Sequence, residues 1–161
     1  MTLRAATAAD DAFLRCVYAS TRQDELAQLS WSEAEKQAFL AMQFDAQDRH
    51  YRARFPDARF DVVERGGAPI GRLIVVRAED EIRVLDIALL PEHRGSGAGS
   101  ALLRELLAEA AARSKRVAIH VERANPARRL YERLGFRVEA DEDSIYLFMV
   151  WRAEAQAKTA S

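Results

Sequence analysis

The chain has 161 residues, 49% hydrophobic and 30% charged, with a formal net charge of −1. This is an ordinary globular composition with enough length for one domain and a real core, and its single cysteine, Cys16, excludes an internal disulfide and suits a reducing cytoplasm. The near-neutral total hides an asymmetry, since residues 94–137 hold ten Lys or Arg against four Asp or Glu while the remainder holds 14 against 21.

The first seven residues, Met-Thr-Leu-Arg-Ala-Ala-Thr, contain no long apolar run, which predicts neither a signal peptide nor a membrane span. Residues 3–6 predict a short strand, and Thr7 or Asp10 then caps a helix through about Ser20. Cys16 falls within the apolar spacing Ala12, Phe13, Leu14, Val17, Tyr18, so it is expected as buried filler rather than a reactive thiol. Residues 22–31 read as irregular. Ser32-x-x-Glu35 is a capping box, and Phe39, Leu40, Met42 and Phe44 mark a helix to about Arg54, ended by Pro56.

Phe60 to Arg65 alternates and stops at Gly66-Gly67, which with Pro69 predicts a hairpin turn into a strand from Ile70 to Arg77. Glu79-Asp80-Glu81 turns the chain into Ile82 to Leu90, completing an antiparallel meander. A helix from Ser100 to Arg113 follows, with Leu103, Leu106, Leu107 and Ala110 on one face, and then a strand from Val117 to Val121. Strand, helix, strand implies a parallel crossover. Pro126 and Gly135 bracket a short helix that leads into a strand from Phe136. Ser144 to Trp151 predicts the last strand. Residues 1–152 read as one domain, and 153–161 as a frayed tail.

The stretch from Asp86 to Leu103 carries the chemistry. An apolar strand end, a Pro-marked turn and glycines at 95, 97 and 99 open onto a helix. Glycines let the backbone approach a ligand, and the first helical turn leaves N–H groups unpaired, so a phosphate fits there without a dedicated lysine. No Gly-Lys-Ser/Thr follows, which rules out a P-loop. The spacing also misses the dinucleotide fingerprint, because Pro91 to Arg94 intervene and the third glycine comes one residue early.

Arg94-x-x-Gly97-x-Gly99, after Asp86-Ile87-Ala88-Leu89-Leu90-Pro91, resembles the acetyl-CoA motif of the GNAT superfamily of N-acyltransferases. A second block, Asn125-Pro126-Ala127-Arg128-Arg129-Leu130-Tyr131-Glu132-Arg133-Leu134-Gly135-Phe136, resembles that family's Asn-x-x-Ala-x-x-Leu-Tyr-x-x-x-Gly-Phe, with one residue fewer between Asn125 and Ala127. The resemblance implies an α/β (α+β) fold. Its mixed central sheet would have about six or seven strands, antiparallel in the first half, with a parallel crossover at the glycine loop and about four flanking helices.

The resemblance implies further that Arg94, Gly95, Ser96, Gly97, Ala98, Gly99 and Ser100 hold the coenzyme diphosphate. Main-chain groups of Ile87, Ala88 and Leu89 would contact pantetheine and the oxyanion, with Asn125 as a further coenzyme contact. Aminolysis of a thioester needs a base for the amine proton, an N–H for the oxyanion and an acid for the departing thiolate. The family's acid is the tyrosine of the second block, Tyr131, whose pKa near ~10 matches a thiolate of comparable basicity. Glu122 is the first candidate base, with Asp86 and His120 behind it.

In folds of this kind the early helices border the acceptor pocket, which makes Trp31, Gln43, Gln47 and Tyr51 candidate substrate contacts. The implied activity is N-acetyl transfer from acetyl-CoA to a primary amine, of a small molecule or a peptide, by direct attack in a ternary complex. The alternative is an acyl-CoA sensor with the same fold and no turnover. His50, His93 and His120 lack metal-ligand spacing, so no metal is expected. The basic segment lacks interleaved aromatics or a nucleic-acid motif, so it reads as a solvated surface and no nucleic-acid partner is expected. Related folds often form homodimers.

Overall fold

A computed structural model describes residues 1–140 and 145–153. Ser144, the expected start of the last strand, and the tail residues 154–161 lie outside the described residues. Among the described residues seven strands form one mixed sheet in the order β1-β2-β3-β4-β5-β7-β6 with four α-helices. The elements are β1 (Thr2–Ala5), α1 (Asp11–Ala27), α2 (Glu33–Arg54), β2 (Arg59–Arg65), β3 (Ala68–Arg77), β4 (Glu81–Leu89), α3 (Ala98–Ala112), β5 (Arg116–Glu122), α4 (Arg128–Leu134), β6 (Arg137–Ala140) and β7 (Tyr146–Trp151). The chain divides into two compact units, Met1–Ile74 with Asp86–Ser96, and Val75–Leu85 with Gly97–Ser161.

In the first unit β1 runs antiparallel to β2, pairing Thr2 with Glu64 through Ala5 with Asp61. Helix α1 continues to Ala27, where the sequence reads as irregular beyond about Ser20. No Gly or Pro interrupts the run. The hydroxyls of Ser20 and Thr21 donate back to the carbonyls of Val17 and Tyr18 at 2.6 Å, so they are satisfied within the helix. The extension buries Leu26 in a cluster with Tyr18, Leu40 and Phe44, in which the Tyr18 and Phe44 rings meet edge-on at 5.8 Å.

Cys16 is exposed rather than buried. The apolar run around it is wider than the stripe a helix can bury, and Val17 and Tyr18 take the inward positions. Helix α2 begins with the expected capping box: Ser32 accepts from the Glu35 N–H at 3.1 Å, and Glu35 accepts from the Ser32 N–H at 3.2 Å. Gly66 and Gly67, both at positive φ, turn the chain between β2 and β3. Strand β3 begins at Ala68, so Pro69 lies in the strand rather than in the turn.

In the second unit β4 and β5 are parallel, with Glu81 paired to Arg116 and Val84 to Ile119, as the crossover requires. Strand β7 lies between β5 and β6, antiparallel to both. Val117, Ile119 and Val121 face the same side as their partners Trp151, Met149 and Leu147, and all six are buried. Helix α3 packs on β5 and buries Leu102, Leu103, Leu106, Leu107 and Ala110. Each such leucine contributes about 1.5–3 kcal/mol. The opposite face pairs His120 with Phe148, ring to ring at 4.8 Å, with the Arg83 and Arg116 guanidiniums 5.8 and 5.9 Å from the Phe148 centroid.

Candidate active site

The glycine stretch adopts the conformation its composition dictates. Gly95 has φ +71° and Gly97 φ +85°, a region that residues with a Cβ avoid, and a Cβ built at either would meet nothing within 4 Å. Gly97 is the N-cap of α3, which starts at Ala98, two residues before the expected Ser100. The first bond of its ladder runs from the Ala101 N–H to the Gly97 carbonyl at 3.0 Å. The amides of Ala98, Gly99 and Ser100 therefore precede the ladder and remain as donors. Open space over left-handed glycines, followed by unpaired amides, fits a diphosphate.

In the first unit Arg94 anchors the approach to this stretch. Its Nε donates to the Leu89 carbonyl at 3.0 Å and its Nη2 to the Ser20 hydroxyl on α1 at 3.2 Å. The Ser96 hydroxyl donates to the His93 carbonyl at 2.7 Å. Beside Ile87, Ala88 and Leu89 lies Gly71, where an added Cβ would overlap the Ala88 carbonyl oxygen and come within 2.7 Å of Leu89 Cδ2. The Leu90 N–H bonds the Ile70 carbonyl at 2.9 Å. This contact between backbones requires glycine at position 71 and was missed in the sequence. The signal was available, because a glycine inside an apolar strand marks a close approach.

Asp86 is committed to Arg72, whose Nε and Nη2 lie 2.7 and 2.6 Å from Asp86 Oδ2. Arg72 is only 6% exposed. Its Nη2 also donates to Gln47 Oε1 at 2.7 Å, and its guanidinium sits 5.7 Å from the Phe44 ring centroid. Of the candidate acceptor contacts, Gln47 is thus joined to Asp86 through an arginine that the sequence reading passed over. An arginine among Ile70, Leu73, Ile74 and Val75 needs a buried partner, and that was its sequence signal. Trp31 is partly exposed and meets Phe39 edge-on at 5.3 Å, Gln43 is half-buried, and the half-buried Tyr51 has the His50 ring 6.0 Å away.

In the second unit Glu122 ends β5 and lines a cavity of ≈ 340 Å³ with Arg123, Ala124 and Ile145. Asn125 follows, its N–H on the Glu122 carbonyl at 2.9 Å and its Oδ1 accepting from the Ala127 N–H at 2.9 Å. Pro126 therefore lies in the turn before α4, not in its first helical turn. Tyr131 is 5% exposed, its ring 5.8 Å from Phe136. Gly135 caps the helix at φ +105°, and the Phe136 N–H reaches back to the Tyr131 carbonyl at 3.0 Å. His120 is exposed against Phe148, and among the described residues no three His, Cys, Asp or Glu side chains gather to hold a metal.

These features belong to a known class. The chain matches the Acetyltransferase (GNAT) family over residues 20–136, and it is a member of that family. Solved structures share the fold. PaiA N-acetyltransferase from Thermoplasma acidophilum, in complex with coenzyme A, has a TM-score of 0.69 at 19% identity, covering 94% of this chain and 98% of that one. A spermidine N-acetyltransferase SpeG chimera from Vibrio cholerae and hSSAT has a TM-score of 0.64 at 21% identity, covering 99% and 98%. An acetyltransferase from Thermus thermophilus has 0.66 at 22% identity over 94% and 97%. Among curated protein sequences there is no match. No helix among the described residues is long and apolar enough to cross a membrane.

Proposed function

We propose that the protein is a single-domain N-acetyltransferase that moves an acetyl group from acetyl-CoA to a primary amine by direct attack within a ternary complex. The observation that carries this reading is the pair of left-handed glycines, 95 and 97, opening over the unpaired amides of α3. The coenzyme supplies an activated acyl thioester. The amides of residues 97–100 bind its diphosphate together with Arg94, whose hydrogen bonds to the Leu89 carbonyl and the Ser20 hydroxyl leave its charge intact. Main-chain groups of Ile87, Ala88 and Leu89 orient the acyl arm and receive the developing oxyanion, while Asn125 orients the coenzyme from the other motif.

Tyr131 holds the proton for the leaving thiolate, and its near-complete burial keeps that phenol from exchanging freely with water. Glu122, at the end of β5 on the open 340 Å³ cavity, receives the amine proton. Trp31, Gln43, Gln47 and Tyr51 meet the acceptor. A thiol-release assay with acetyl-CoA across a panel of polyamines, aminoglycosides, amino acids and peptide N-termini tests the reading. Release that depends on an amine supports it. Coenzyme binding with no release on any amine replaces it with the sensor reading.

A further inference from the structure

Arg72 does more than neutralise Asp86, because it decides which atoms of two neighbours stay open. Both of its contacts to Asp86 converge on Oδ2, from Nε at 2.7 Å and from Nη2 at 2.6 Å, so Oδ1 keeps no hydrogen-bond or ion-pair partner among the described residues. An arginine only donates, so the Gln47 amide must turn its oxygen toward Nη2, at 2.7 Å, and its NH2 is the face left over. No side-chain nitrogen or oxygen among the described residues is buried without a partner, so both leftover groups, which belong to the first unit, reach solvent. The Asp86 side chain is 24% exposed against 7% for Arg72, which offers little of itself to a ligand.

The charge at this point is balanced. Asp86 is matched by Arg72, and the carboxylates on either side of Gln47 in α2, Asp45 and Asp48, are held by Arg15 at 2.6 Å and Arg52 at 3.0 Å. One oxygen acceptor and one amide donor in a neutral setting suit a group that both donates and accepts and carries no charge. A second ammonium would face the Gln47 NH2 with no surplus negative charge to hold it, and a carboxylate would face Oδ1. We propose that Asp86 Oδ1 and the Gln47 NH2 form a specificity subsite for the acceptor, with Arg72 positioning both, and that it takes an amine bearing an uncharged hydroxyl or carboxamide rather than a polyamine or an amino acid. The assignment rests on the function proposed above. It accounts for a buried arginine in a strand where a well-packed apolar pair would serve stability equally well.

Ethanolamine, glycinamide, glycine and ethylenediamine share an aminomethyl group and differ in what it carries, so thiol release from acetyl-CoA with each of them tests it. Compared by kcat/KM and corrected for the fraction of neutral amine, ethanolamine or glycinamide should exceed both charged amines at least tenfold, and whichever leads separates hydroxyl from carboxamide. Arg72→Met with Asp86→Leu, and separately Gln47→Leu, should cut that preference to twofold or less by raising the KM of the favoured amine, with the KM for acetyl-CoA within twofold of the wild type. A purely structural role would lower kcat alike for all four amines and leave their ratio in place, and that result would overturn the assignment. So would a wild type that accepts glycine or ethylenediamine as well as the uncharged pair, or one that acetylates larger amines and none of these four. If acetyl-CoA binds and no amine of any kind releases thiol, it is the functional reading that fails.

Discussion

The guanidinium of Arg72 holds Asp86 Oδ2 through Nε at 2.7 Å and Nη2 at 2.6 Å, and with the same Nη2 holds the Gln47 carbonyl oxygen at 2.7 Å. Strand β3 thereby fixes both a residue of α2 and the carboxylate that precedes Ile87. Truncating one partner of a buried pair strands the other, at about 3–5 kcal/mol. Arg72→Ala should lower unfolding stability by that amount in urea titrations, and Arg72→Met with Asp86→Leu should recover most of it. A single-variant loss below about 1 kcal/mol would show instead that water screens the pair.

Gly71→Ala places a methyl group into the Ala88 carbonyl and the Leu89 side chain. Backbone cannot move aside as a flexible side chain does, so the expected loss is at the upper end of the about 1–3 kcal/mol typical of overpacking. Thermal unfolding reads it. A midpoint equal to that of the wild type would mean that β3 and β4 separate without cost at this point.

Gly97→Ala meets no steric contact but forces a Cβ into φ +85°, at about 1–2 kcal/mol. Gly66→Ala at φ +58° carries a similar strain in a turn remote in sequence from the coenzyme motifs. Both variants should lose stability, and only Gly97→Ala should also weaken coenzyme A binding. Equal coenzyme affinities in the two would detach the α3 N-terminus from the coenzyme.

Tyr131→Phe keeps the ring that packs on Phe136 and removes only the hydroxyl. Turnover should fall tenfold or more with coenzyme binding near intact. Full turnover would strip the phenol of its role as acid and leave the residue as core.

Asp10 accepts two hydrogen bonds from Arg4, at 2.8 and 2.7 Å, and one from the Thr7 N–H at 2.8 Å. The Arg4 bonds, then the Thr7 amide, hold its carboxyl well below the ordinary carboxylate range. A depressed folded-state pKa gives stability that is complete above the unfolded value of about 3.9 and is lost as pH falls toward the folded value. Stability should therefore decline below about pH 4, and Asp10→Asn should flatten that limb while lowering the neutral plateau. An identical acid limb in the variant would assign the decline to other carboxylates.

Local chemistry made much of this legible in advance. Ser32 with Glu35, Gly66 with Gly67, and Gly135 before Phe136 each act within a few residues, so spacing alone located the start of α2, the hairpin and the end of α4. The glycine stretch was readable for the same reason, although α3 starts two residues early because Gly97 itself serves as its cap. What escaped depends on residues distant in sequence. Leu26 extends α1 because Leu40 and Phe44 cover it, and Arg72 is tolerated inside β3 because Asp86 and Gln47 receive it. Cys16 failed differently, since a run of apolar residues does not say which of them a helix turns outward.

The placement of β7 between β5 and β6 has a kinetic consequence. The chain emits Arg137–Ala140 before Tyr146–Trp151, yet the earlier segment finds its ladder partners only on the later one. The two are neighbours in the chain and antiparallel, so they can pair with each other before β7 docks on β5. In pulse-labelled refolding the amides of residues 137–140 should therefore gain protection together with those of Tyr146–Trp151 and not before them.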